Sequence, residues 1–398
     1  MRIPFKRNRF VLFSHPIVVL DHMFHMYDFG KYLTESFPVE TLFVSNRKDV
    51  FEKIDKKNKI NVDGIVNITI KNRIEAFKYL IKIGLKSNAG GWFFYFYLYY
   101  YICYFLAYTD FYLKVLDPKR VKYVLTLHDQ QFHESIVTFV ARQKNIPTYT
   151  AQHGALQNIE LYIPYSNYMF VWGRQAKDKL TKLGISEKRI IISGHPLYDD
   201  IILRQDHLKR LEKNKLRRKY HFSEEKLNVT FFTSELGPEK NEALLRCFLL
   251  GIKCVPLNSI VKIHPLRDDL SVYKKLVRGS EVSCQISNDC AKPILLGSDL
   301  VVSYMSSVSV EAVMLGIPVI MINPFSEDFE NDDLLAYAIV CSSNEEFAKS
   351  MLRITTDELF FKKLKEESKQ KSSYFIGNIS GVSTSERVLE IIGGYSSI

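Results

Sequence analysis

The residues best suited to chemistry fall at the ends of β-rich runs. In TYTAQHGALQNIE (148–160) such a run breaks into Gln152, His153 and Gly154. The missing side chain at the glycine lets another molecule close in on the imidazole. SIVKIHPLRDD ends in His264 and Pro265, and the proline stops the strand so that the ring is presented at its edge. In SDLVVSYMSSVSVEAVMLGIPVIMINP a strand delivers Ser303, then Ser306 and Ser307 open a helix running towards Gly316. Hydroxyls and free N–H groups at a helix start form an anion site, although either serine could serve only as the N-cap. Glu311 lies about one helical turn inwards, where its carboxylate could accept both hydroxyls of a ribose whose phosphate rests on the serines. FFTSELGPEK adds Thr233, Ser234 and Gly237 in a polar loop before an acidic helix start, a weaker signal. TLHDQQFHE sets His128 and Asp129 at another strand end.

Something must hold these groups. Short β-branched runs at 10–14, 41–45, 66–70, 122–127, 148–152, 168–172 and 189–193 alternate with helical patterns, and a second series follows at 228–233, 259–263, 282–286, 299–303 and 318–322. Such alternation means parallel sheets with helices on both faces, and 398 residues exceed one ordinary core. The expected class is therefore α/β, with two doubly wound (Rossmann-like) domains facing a cleft. The first would span 1–200 and a charged connection 201–226. The second domain would span 227–354, and helices at 355–398 would pack across the pair. Ligands of such sheets bind beyond the carboxyl ends of the strands, which is where the residues above lie.

Composition narrows the partners. Net charge is +10, which suits anionic ligands, acidic membranes or nucleic acid. The basic residues are dispersed and no nucleic-acid-reading motif occurs, so nucleic acid is not an expected partner. Six cysteines without metal spacing read as buried thiols of a reducing, cytoplasmic compartment. No Walker loop or GxGxxG is present, and the acidic pairs Asp199–Asp200, Asp268–Asp269 and Asp332–Asp333 make no metal triad, so neither cofactor nor metal is expected. The basic opening MRIPFKRNRF precedes an apolar run broken by His15, Pro16, Asp21 and His22, which reads as a first strand at 10–14 rather than a signal peptide. GGWFFYFYLYYYICYFLAYT (90–109) carries no charge but holds seven Tyr and one Trp. A core helix, an interfacial helix and a membrane span compete for it. Those rings favour the headgroup zone, so the expectation is peripheral attachment at most, at the inner face of the cytoplasmic membrane.

Four places together resemble GT-B glycosyltransferases, in the group containing CDP-glycerol glycerophosphotransferases, bacterial sialyl- and polysialyltransferases and capsule Kdo transferases. They are QHG at 152–154, VWGRQAKDKLTKLGISEKRIIISGHPLYD at 171–199, HP at 264–265 and SYMSS…EA…GIP at 303–318. The resemblance implies that His153 serves as base for the acceptor hydroxyl and that His264, Ser306 and Ser307 hold the donor's phosphate. It implies a nucleotide-sugar donor, CMP-linked in preference to CDP- or UDP-linked, and a glycan or lipid-linked glycan acceptor in capsule or lipopolysaccharide assembly. The sialyltransferases' acidic signature is absent unless SELG echoes it, and the Glu of EA is shared with UDP-sugar enzymes. A UDP-N-acetylglucosamine 2-epimerase-like protein shares the architecture but would want a Thr-x-His-Arg loop where this chain has TSELGP. A non-catalytic basic membrane scaffold is the reading outside enzymology.

Overall fold

The computed structural model describes residues 17–19, 42–45, 59–62, 65–84, 92–152, 156, 164–196, 198–234, 236–264, 270–304, 306–325, 337–377 and 383–395. Two all-parallel sheets organise them. The first is ordered β3-β2-β1-β4-β5-β6-β7. Its strands are β1 (Ile17–Val19), β2 (Leu42–Ser45), β3 (Lys59–Asn61), β4 (Val124–Thr126), β5 (Thr148–Ala151), β6 (Tyr168–Val171) and β7 (Ile190–Ile192). The second is ordered β10-β9-β8-β11-β12-β13. It comprises β8 (Asn228–Phe232), β9 (Asn258–Lys262), β10 (Cys284–Ser287), β11 (Leu300–Ser303), β12 (Val319–Ile322) and β13 (Ile339–Cys341). Helices cover both sheets, so the central strands are buried on both faces and read as continuous apolar runs such as LVVS and VIMI. This is the expected α/β class with two doubly wound sheets.

The differences from expectation have physical causes. The strand expected at 10–14 lies outside the described residues. Residues 66–70 form no strand; helix α1 (Ile70–Gly84) begins there instead. Thr69 and Asn72 cap it reciprocally, with Thr69 N donating to Asn72 Oδ1 at 2.9 Å and Asn72 N to Thr69 Oγ1 at 3.2 Å. That cap outweighs the β propensity of Ile68, Thr69 and Ile70. Edge strands β3 and β13 have three residues each, too few for a periodic pattern to show. Cys254 and Cys290 are exposed and Cys284 is half-buried, so only Cys103, Cys247 and Cys341 match the expected buried thiols.

The remaining helices tie the sheets together. Helix α2 (Trp92–Val115) buries its carboxyl-terminal half against α3 (Phe132–Gln143). After α4 (Arg174–Lys182) and the short α5 (Asp199–Leu203), α6 (Gln205–Tyr220) reaches the second sheet, where Lys213 Nζ pairs with Asp299 at 2.6 Å. Helices α7 (Pro238–Ile252), α8 (Leu270–Gly279), α9 (Ala291–Leu296), α10 (Ser307–Met314) and α11 (Asn344–Thr356) surround that sheet. Helix α12 (Glu358–Phe375) touches both α10 and α4, and α13 (Thr384–Tyr395) buries Val388 and Ile392 against Leu125, Tyr149 and Phe170 of the first sheet. Asp199, one of the acidic pairs, accepts from Thr384 N and Oγ1 at 2.6 and 2.7 Å, so its carboxylate fastens α13 rather than a metal.

Candidate active site

In a doubly wound sheet the loops leaving two adjacent strands diverge where the strand order reverses, opening a crevice at the carboxyl ends. In the second sheet that point lies between β8 and β11, with β9 on the other side of β8. Thr233 and Ser234 leave β8, His264 follows β9, and Tyr304 and Ser306 leave β11, so three separate sequence motifs converge on one edge. Thr233 locks two of them together: its backbone N–H donates to Lys262 O at 3.1 Å, and its hydroxyl accepts from His264 N at 2.7 Å. His264 itself is half-buried.

Ser234 has a different character. Asn241 of α7 holds its backbone, donating through Nδ2 to Ser234 O at 2.9 Å and accepting from Ser234 N at 3.3 Å. The side chain is buried, yet its hydroxyl has no hydrogen-bond partner among the described residues. Gly237 is the exposed N-cap of α7, followed by Pro238 in the first turn; a side chain there would meet nothing within 4 Å.

On β11 the serines divide their labour. The Ser303 hydroxyl is buried against that of Ser309 at 2.5 Å and serves the strand-to-helix turn. Ser306 caps α10, accepting from Val308 N at 3.4 Å, while Ser307 is exposed at the helix mouth. Glu311, one turn inside, is half-buried and already engaged, because the Tyr198 hydroxyl donates to its carboxylate. Burial raises the Glu311 pKa, opposed by the Tyr198 hydrogen bond and by the positive charge of Lys292. Lys292 also lies over the Tyr198 ring, 5.2 Å from its centroid. His195 completes this cluster, 4.4 Å from the Trp172 ring and 4.8 Å from the Tyr198 ring by centroids. Burial, aided by Lys292, pushes the His195 pKa down to about 3, so the ring is neutral at physiological pH. Tyr198 stands inside the 171–199 segment and Lys292 in no motif, and nothing in either local pattern ties them to Glu311; only folding brings residues 198, 292 and 311 together.

The first sheet reverses between β1 and β4, and His128 and Asp129 follow β4 at that point. His128 Nδ1 accepts from Gln130 N at 3.3 Å, and burial lowers the ring's pKa against the pull of Asp129. Asp129 is buried and accepts from Ser166 N at 2.7 Å, which fixes the approach to β6. Gln152 follows β5 with its groups committed to structure: Oε1 accepts from Trp172 N and its backbone carbonyl from Trp172 Nε1, both at 2.9 Å. His153 and Gly154 lie outside the described residues.

No protein-family model matches the chain, and no curated protein matches its sequence. Solved structures do match it. UDP-GlcNAc 2-epimerase from Neisseria meningitidis, bound to UDP-GlcNAc, superposes with a TM-score of 0.56 at 14% identity, covering 96% of this chain and 100% of that one. The Methanocaldococcus jannaschii UDP-GlcNAc 2-epimerase gives 0.57 at 15% identity, with 96% and 99% covered. The wall teichoic acid polymerase TagF, soaked with CDPG, gives 0.54 at 11% identity over 97% and 90% of the two chains. At such identities the likeness is one of architecture, and with the two sheet orders above it identifies the fold of this chain as GT-B.

Proposed function

We propose that this chain is an inverting glycosyltransferase that moves a sugar from a nucleotide-activated donor to a hydroxyl of a bacterial surface glycan or lipid-linked acceptor. The observation that carries the reading is the buried Ser234 hydroxyl, without a partner among the described residues, at the β8/β11 switch point next to Thr233, which bonds His264. A buried hydroxyl without a partner costs about 1–3 kcal/mol, which a ligand oxygen accepting from it offsets. The surrounding donors suit a phosphate: the His264 ring, the Ser306 and Ser307 hydroxyls and the helix N-terminus.

On this reading the donor's phosphate rests between His264 and α10, and those groups stabilise the charge that accumulates as it leaves. No divalent cation is required for that step. His153 removes the proton from the acceptor hydroxyl, the ordinary task of an imidazole acting as general base. In-line attack then inverts the anomeric centre. Glu311 receives the ribose hydroxyls once they displace Tyr198. The motif resemblance favours a CMP-linked sugar such as CMP-Kdo or CMP-sialic acid, whereas two of the neighbours named above were solved with UDP-GlcNAc and CDPG respectively.

Calorimetry with CMP, CDP, UDP, GDP and dTDP tests the donor; no binding of any of them ends the proposal. His153→Ala is expected to lower turnover by about 10²–10⁴ with donor affinity nearly unchanged. His264→Ala is expected to weaken donor binding itself, and equal affinity removes it from the site. Product analysis separates the rival activities, since an epimerase acts without an acceptor and a glycerophosphotransferase adds a phosphodiester rather than a glycosidic bond.

A further inference from the structure

Most of the large apolar side chains exposed among the described residues are gathered on helices α1 and α2, which pack on each other. On α1, Ile70, Ile74, Phe77 and Ile81 recur at spacings of four, three and four, forming one stripe of the helix. That stripe points away from buried Asn72 and Ala76, and Ile70 is 77% exposed. On α2, Phe93, Tyr97, Tyr100 and Tyr104 repeat the same spacing, with Tyr97 66% exposed. Lys71, Lys78 and Lys82 are exposed and form a stripe beside the apolar one on α1, in which Glu75 pairs with Lys78 at 2.8 Å and leaves a net positive edge.

Two of the three readings of the aromatic segment fail on this geometry. A core helix would hide these rings, and no helix among the described residues is long and apolar enough to cross a membrane. Phenylalanine and tyrosine beside lysines are instead the composition of a helix lying in a bilayer interface.

We propose that the α1–α2 pair is a monotopic docking surface for an anionic phospholipid bilayer, its rings at headgroup depth and Lys71, Lys78 and Lys82 on the lipid phosphates. The carboxyl-terminal half of α2 is anchored in the first domain by buried Tyr108, Tyr112 and Val115. Rings of Tyr101 and Tyr108 lie 4.9 and 5.9 Å from that of Phe132, three residues past Asp129. The docked surface therefore adjoins the carboxyl edge of the first sheet, and an acceptor carried on a lipid would reach that edge from this side. The docking itself needs neither His264 nor Ser234, so it stands or falls apart from the donor chemistry.

Vesicle flotation of the full chain tests it, using phosphatidylcholine alone and phosphatidylcholine with phosphatidylglycerol. The chain is expected to float with the anionic vesicles, and much less with neutral ones or at high salt. Phe77→Glu with Tyr97→Glu should abolish flotation. Lys78→Gln with Lys82→Gln should weaken partitioning by about fivefold per lysine, from roughly 1 kcal/mol for each charge at the surface. Because both lysines are exposed and Lys78 makes only a surface pair with Glu75, that pair keeps the test open if the glutamate pair folds poorly. Absence of flotation at either composition, or flotation of both variants equal to the parent, overturns the proposal. So does a dimer in sedimentation velocity that the glutamate pair dissolves in a chain that never binds lipid.

Discussion

Ser234 and Ser303 show how much a single hydroxyl's surroundings decide. Both are buried serines at the carboxyl edge of the second sheet, yet the Ser303 hydroxyl bonds to Ser309 while that of Ser234 has no partner among the described residues. Removing each should therefore have opposite consequences. Ser234→Ala is expected to leave thermal stability unchanged or raised, because an uncompensated buried hydroxyl disappears, while donor affinity falls by about tenfold or more. Ser303→Ala should instead destabilise the fold by about 1 kcal/mol. Thermal unfolding with and without nucleotide distinguishes the two, and a Ser234→Ala protein that loses stability but binds nucleotide normally contradicts the assignment. Glu311 carries a similar lesson: its motif suggested a free carboxylate, and the fold hands it to Tyr198.

At the scale of elements, the junction between α4 and α12 depends on a glycine. A Cβ at Gly173 would stand 2.4 Å from the carbonyl carbon of Phe375, so backbone must move to admit it. Just beyond, Gly377 N donates to Trp172 O at 2.7 Å, stitching the end of α12 to the end of β6. Gly173→Ala should cost about 1–3 kcal/mol and loosen α12 and α13, measured as a lower urea midpoint and faster limited proteolysis after α12. Gly279→Ala, in open space at the end of α8, serves as the control and should be neutral or slightly stabilising. Equal effects of the two substitutions would refute the close-packing argument. VWGR thus matters through its backbone, whose proximity to Phe375 no local pattern announces.

At the scale of the whole molecule, two fully buried histidines among the described residues give stability an acid dependence. His133, whose Nε2 meets the Tyr112 hydroxyl, and His195 both have pKa values pushed down to about 3 by burial. In the unfolded chain each regains a value near 6.5. Below that value the unfolded state binds protons the native state refuses. Stability is thus fully present above about pH 6.5 and falls as pH drops towards 3, by about 1.4 kcal/mol per pH unit for each ring. Urea unfolding of the parent and of His133→Asn between about pH 6.5 and 5 checks this. The variant should lose one ring's share of the slope, about 1.4 kcal/mol per pH unit, and identical slopes would show that His133 is not a buried neutral ring.

The legible part of this protein was what local sequence encodes. Buried parallel strands must be continuous apolar runs, so most central strands could be placed, and with them His264, Ser306 and Thr233 at strand ends. The short edge strands, the start of α1 and the engagement of Gln152 with Trp172 were not legible, since three residues carry no period and a cap or a side-chain bond is a choice between competing partners. Sequence alone determined the alternation of strand and helix and the chemistry available at the strand ends. Tertiary structure alone decided which groups share a crevice, because strand order, and hence the switch point between β8 and β11, is set by how helices pack across the sheets. It alone decided that Tyr198 takes Glu311 and that the aromatic stripe faces outward, because burial is a property of the assembled fold and not of any segment within it.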